Sequence, residues 1–83
     1  MSELARTQRQ IGTIIQRARK KRGWTQSQLA ERAGLRQETI SMIEIGEKPS
    51  KLNSILAVLA ALQLEFRIEE RTKGGPQDIE DLF

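Results

Sequence analysis

Apolar residues recur at intervals of three and four through most of this 83-residue chain, then switch to every second position near residue 64. Ile11, Ile14, Ile15 and Ala18 form the first stripe. They predict a helix over about residues 7–22, stopped by Gly23. Leu29, Ala30 and Ala33 form the second. Thr25 and Gln28, three apart at its start, have the capping-box pattern in which each side chain satisfies a free backbone N–H of the first turn. Gly34 supplies the left-handed conformation that ends this helix and turns the chain. The third run begins near Arg36 or Gln37 and ends near Ile45, with Gly46 as its stop. It turns Ile40 and Ile43 inward and leaves Gln37, Glu38, Ser41 and Met42 on another face. In the loop 47–50, Pro49 forbids helical continuation and Ser50 offers an N-cap. Leu52, Ile55, Leu56, Leu59 and Leu62 then predict an inward stripe on a fourth helix over about residues 51–62.

The next segment alternates. Leu64, Phe66 and Ile68 are separated by Glu65 and Arg67, which predicts a strand over about residues 64–70. A lone strand cannot satisfy its own backbone hydrogen bonds, and no second strand pattern exists elsewhere in the chain. The economical solution is the same strand of a second copy, with Leu64, Phe66 and Ile68 in a ribbon across a two-fold homodimer. From Thr72 the chain reads TKGGPQDIEDLF, where Gly74, Gly75 and Pro76 break structure. The expected organisation is a domain over 1–71 and a flexible tail over 72–83. The expected fold is all-α, a bundle of four to five helices with one short strand.

Composition narrows the chemistry. A chain this short buries only about 60–65% of its unfolded surface, so a second copy would add needed core. There is no Cys and no His, which removes disulfides, the usual zinc ligands and the Ser-His and Cys-His nucleophile pairs. No phosphate loop or paired-carboxylate motif is present. The expectation is a protein that is not an enzyme and takes no metal or cofactor. No apolar run reaches the roughly 18–20 residues of a membrane span, and the N-terminus lacks a signal-peptide core, so a cytoplasmic location is expected. Charge is uneven. Residues 1–36 carry nine Lys/Arg against Glu3 and Glu31, including Arg17, Arg19, Lys20, Lys21 and Arg22. Residues 37–83 carry five Lys/Arg against nine Asp/Glu. Such a basic half suits an anionic partner, most often nucleic acid; the plain alternative is a solvated helix surface.

Two short helices joined by a glycine turn, the second held from behind with its polar face free, are what a major groove requires. Thr25, Gln26, Leu29 and Ala30, then Gly34, then Thr39, Ile40, Ser41, Ile43 and Glu44 make residues 8–64 resemble the XRE family, which includes the lambda-type phage repressors. In that motif the third helix reads DNA. Gln37 suits adenine N6 and N7, and Glu38 could accept from cytosine N4. Ser41 could bond several bases or a phosphate, and Met42 could contact a thymine methyl. Arg36 stands at the helix entrance within reach of a guanine or a phosphate. Phosphate contacts are expected from Gln26 and Ser27 at the second helix's N-terminus, from Thr39, and from Lys48 and Lys51 in the following loop. The resemblance also implies an ion pair between Arg19 and Glu44 that fixes the reading helix against the first. Trp24 is expected to be structural, beside a helix start.

A narrower resemblance rests on GWTQS, on GLRQETIS, and on a Leu-rich helix leading into LEFRIEE. These are similar to HipB-type antitoxins, small dimers with a C-terminal strand in an intersubunit ribbon. By that resemblance Ser27, Arg36, Gln37, Glu38 and Ser41 occupy DNA-contacting positions. Glu38 departs from the small residue typical there. The tail ending Ile79, Glu80, Asp81, Leu82 and Phe83 is similar to the family's mobile, apolar-ended tail. The implied partners are double-stranded operator DNA, a second copy, and a HipA-type Ser/Thr kinase toxin, with the chain repressing its own operon. A stand-alone XRE regulator without a toxin fits the same DNA motif. A pure protein-interaction module is a third alternative, and it would show no salt-sensitive DNA binding.

Overall fold

The computed structural model describes residues 3–71. Four helices follow one another: α1 (Gln8–Lys21), α2 (Gln26–Ala33), α3 (Gln37–Ile45) and α4 (Leu52–Ala61). Their starts follow from local chemistry. Thr7 caps α1, its hydroxyl accepting from Gln10 N while the Gln10 side chain accepts from Thr7 N, and Thr25 with Gln28 repeats that box on α2. At the end of α2, Gly34 sits at φ 71°, which only glycine adopts at no steric cost. Leu35 N then donates to Ala30 O at 2.9 Å, so a carbonyl left over by the helix is satisfied and the chain reverses towards α3.

All four helices give side chains to one core. Ile15, Leu29, Ile40, Val58 and Leu62 are fully buried, with Ala30, Ile43, Ile55 and Leu59 around them. α3 packs on both α1 and α2, and α4 packs on α2. The α1–α3 approach is close enough to exclude any side chain at Gly12. A Cβ there would lie 2.4 Å from the Ile43 carbonyl oxygen and 2.5 Å from that of Glu44. A glycine inside the apolar stripe of α1 costs helix propensity, and this crossing is what it permits.

Two expectations for α4 need correction. Its cap is Lys51, not Ser50, and no side-chain hydrogen bond closes it. Its inward stripe is Ile55, Val58, Leu59 and Leu62, while Leu52 is 59% and Leu56 41% exposed. The helix reads LNSILAVLAA and is apolar on almost every side, so periodicity could not choose the face that meets α2. α4 ends without glycine. Gln63 takes φ 58°, with Gln63 N donating to Ala60 O at 3.0 Å and Leu64 N to Leu59 O at 2.8 Å. After this turn Leu64 packs against the core. No strand forms within the single chain among the described residues, and Phe66 and Ile68 stand exposed. The expected tail over 72–83 lies outside the described residues.

Replacing Gly12 with Ala forces α1 and α3 apart. The expected loss is about 1–3 kcal/mol, the usual cost of overpacking. It would be read as a lower urea midpoint; an unchanged midpoint would contradict the close crossing.

Candidate nucleic-acid interface

The surface around the start of α3 is built on one buried ion pair. Arg19, from the last turn of α1, donates from Nε to Glu44 Oε2 at 2.7 Å and from Nη2 to Glu44 Oε1 at 3.1 Å. Its Nη1 donates to the Trp24 carbonyl at 2.7 Å. The two side chains are 10% and 2% exposed, so the fork is almost dry. Low dielectric strengthens such bonds and also makes any unpaired member costly, so the arrangement tolerates little slack. The pairing expected from the XRE resemblance is present, and it ties α1 to α3.

The network then runs outward. Gln26, at the first position of α2, donates from Nε2 to Glu44 Oε1 at 3.1 Å. That fixes which way its amide faces. The Gln26 Oε1 is left to accept from Gln37 Nε2, at 2.6 Å. Gln37 is exposed at the first position of α3, and one of its amide hydrogens is spoken for. Its carbonyl oxygen and its second N–H have no partner among the described residues. A glutamine in that state presents one acceptor and one donor side by side, with orientation set by the buried charge pair.

The other site residues flank this pair. Arg36 is the N-cap of α3 and makes no side-chain cap bond. Glu38 is exposed, Met42 is 44% exposed, and Ser41 and Thr39 are half-buried on the same helix. Ile40 and Ile43 hold that helix from behind. Ser27 is exposed in the first turn of α2, where the N–H groups of Gln26 and Ser27 have no helical partner. Lys48 and Lys51 are exposed in the α3–α4 loop. That loop is tied to α1, since Gln8 Nε2 donates to the Lys48 carbonyl. The first turns of two helices thus offer backbone N–H groups, amides and cations on neighbouring elements, which is the chemistry of a phosphate backbone and its base edges.

Part of the basic half turns out to be used internally. Arg19 is neutralised, Arg17 pairs with Glu3 at 3.2 Å, and Arg22 donates to the Ala18 and Leu62 carbonyls. Arg32 stacks 4.2 Å from the Trp24 ring centre, with Arg22 at 5.8 Å. Trp24 is therefore structural, as expected, half-buried against the core and held by arginines. The sequence carried no local sign of the Gln26–Gln37 bond, because it joins residues eleven apart through the turn. Gly12 was also missed; its signal was a glycine placed within an apolar helical stripe.

Residues 15–68 match the family model described as Helix-turn-helix. Antitoxin HipB of Escherichia coli (strain K12) is 30% identical over 71 residues, covering 86% of this chain and 81% of that protein. HipB of Escherichia coli O6:H1 is 30% identical over 71 residues, covering 86% of this chain and 76% of its own length. Among solved structures, HipB in a HipA-HipB-O2-O3 complex superposes with TM-score 0.78 at 27% identity, covering 86% of this chain and 100% of that one. HipB in an O4 20mer complex gives TM-score 0.79 at 27% identity over 86% and 100%.

Truncating Glu44 to Ala strands the Arg19 guanidinium in a dry site. The expected cost is about 3–5 kcal/mol of unfolding free energy. The double variant Arg19→Met with Glu44→Leu removes both charges and should recover most of that loss. Urea unfolding of the two proteins checks this; equal destabilisation by both would mean the charges are not what is lost.

Proposed function

The chain belongs to the helix-turn-helix family, in its XRE-type, HipB-like branch, and on that premise we propose that it is a dimeric DNA-binding repressor. It acts as the antitoxin of a HipA-type Ser/Thr kinase and represses its own operon. The observation that carries the DNA half is the chain of bonds from Arg19 through Glu44 and Gln26 to Gln37. It holds a base-reading amide at the start of an exposed helix before any DNA arrives. Pre-set geometry avoids the cost of ordering side chains on binding.

In this reading α3 enters the major groove. Arg36, Gln37, Glu38, Ser41 and Met42 face base edges, and Gln26, Ser27, Thr39, Lys48 and Lys51 meet phosphates. Gln37 has the free acceptor and donor that adenine N6 and N7 need. The second copy pairs residues 64–70 with their counterpart, covering Phe66 and Ile68, which are 49% and 93% exposed in the single chain. Two-fold symmetry then calls for a palindromic operator, with half-sites about 34 Å or a multiple apart. The protein works by binding, without chemistry of its own, in the cytoplasm where its DNA lies. No helix among the described residues is long and apolar enough to cross a membrane. The kinase half of the reading rests on the likeness to HipB, which occurs with HipA in a solved complex.

Gln37→Ala should weaken operator binding by about 1–3 kcal/mol and relax one base position per half-site. A fluorescence-anisotropy titration over single-base operator variants measures both. Unchanged affinity and preference would remove α3 from the groove. The kinase partnership is checked by recovering the tagged chain from its native lysate after nuclease treatment. A stoichiometric kinase-fold partner is expected; recovery of the chain alone, with the kinase expressed, would leave a stand-alone regulator.

A further inference from the structure

Residues 64–68 read LEFRI, and a two-fold ribbon built from them has few registers open to it. Leu64 packs against the core, while Phe66 is 49% and Ile68 93% exposed. Between them stand Glu65 and Arg67. Arg67 Nε lies 3.8 Å from Glu65 Oε2, so the two charges share one side of the backbone, and both side chains are largely in solvent. One side of the segment is thus apolar, and the other carries one charge of each sign. No ladder forms on this backbone among the described residues. Gln63, at φ 58° in the turn after α4, bounds any ribbon on its N-terminal side.

Directly opposed side chains on a pair of strands meet on one face, and like charges there are destabilising. A parallel pair in register sets Glu65 and Arg67 each against its own copy. An antiparallel pair with the two-fold axis between residues 66 and 67 sets Phe66 against Arg67 and mixes the faces. The remaining antiparallel registers place one residue on the axis. Leu64 is excluded there by the turn at Gln63. Glu65 or Arg67 on the axis would meet its own charge, and with Arg67 there Glu65 also faces Glu69. Ile68 on the axis brings Phe66 against Glu70. With Phe66 on the axis, Phe66 meets Phe66, Leu64 meets Ile68, and Glu65 meets Arg67, each of the last two twice by symmetry. Ile68, almost fully exposed in the single chain, is then laid beside the residue of the partner that packs on its core. We propose that the interface between copies is an antiparallel ribbon of residues 64–68 with Phe66 on the two-fold axis, its register set by reciprocal Glu65–Arg67 pairs. This register presupposes the homodimer proposed above and narrows its ribbon from residues 64–70 to residues 64–68.

The chain has no Cys, so a single introduced thiol reports its distance from its own copy. Opposed residues of an antiparallel pair have Cα atoms about 4.5–5.5 Å apart, within disulfide reach. Under mild oxidation the full chain carrying Phe66→Cys should form a covalent dimer, and Arg67→Cys and Ile68→Cys should not. A dimeric Phe66→Cys protein that does not cross-link, or cross-linking at 67 or 68 in its place, would overturn the register. A second measurement keeps the phenyl ring in place. Glu65→Lys and Arg67→Glu should each weaken the dimer about tenfold in sedimentation equilibrium. An equimolar mixture of the two should form a mixed dimer of wild-type strength, because both cross-strand pairs are again of opposite sign. A mixture no tighter than either variant alone would sink the Glu65–Arg67 pairing. So would a tighter dimer from Glu65→Lys alone, which is the outcome if Glu65 faces Glu69. A wild type that stays monomeric would remove the homodimer itself, whereas a dimer cross-linked at another position removes only this register.

Discussion

The Arg19–Glu44 fork sets the geometry on which the remaining structure depends. Two charges have been taken out of water, and no buried side-chain nitrogen or oxygen among the described residues lacks a partner: the guanidinium also reaches Trp24 O, and the carboxylate also accepts from Gln26 Nε2. A buried ion pair of this kind is weak evidence for stability, because a well-packed apolar pair of equal volume often does as well. Its value here is directional. It holds α1, the start of α2 and the end of α3 in one register. It also decides which way an amide at the surface faces. An apolar pair could fill the same space, but it could not orient Gln26, and through it Gln37.

The close α1–α3 crossing is the steric side of the same constraint. The fork spans from the end of one helix to the end of the other, while Gly12 removes the side chain that would hold the backbones apart. Few apolar residues are then enough to close the core. The cost is a surface with Leu52, Leu56, Phe66 and Ile68 exposed, which a chain of this size can cover by pairing with itself. Charge follows a similar logic. Several arginines of the basic half serve the fold through Glu3, Trp24 and backbone carbonyls, so the exposed cations left to meet an anion include Lys20 and Lys21 at the end of α1, Arg36 at the cap of α3, and Lys48 and Lys51 in the loop after it.

Helix existence and order were legible because the apolar spacing of α1, α2 and α3 is unambiguous and their starts and stops carry side chains that do local work. Thr25 with Gln28 and Gly34 are read from neighbours alone, since a cap is satisfied within one turn. The ion pair was legible only through resemblance, as nothing local joins Arg19 to Glu44. For α4 the pattern failed. A helix apolar on nearly all sides has no preferred face until α2 arrives, so Val58 went inside and Leu52 and Leu56 stayed out. The alternation after Leu64 predicts a strand, but an extended segment forms a ladder only with a partner, and none forms there among the described residues.

By itself, then, the sequence determined the four helices, the capping box of α2, the glycine turn and the identity of the side chains at the start of α3, all of which depend on contacts within a few residues. The tertiary structure alone decided the face α4 buries, the contact that requires Gly12 to lack a side chain, and the bond by which Gln26 orients Gln37. Those depend on groups brought together from different helices, eleven or more residues apart, and periodicity records only that a face is apolar or polar, not what will meet it.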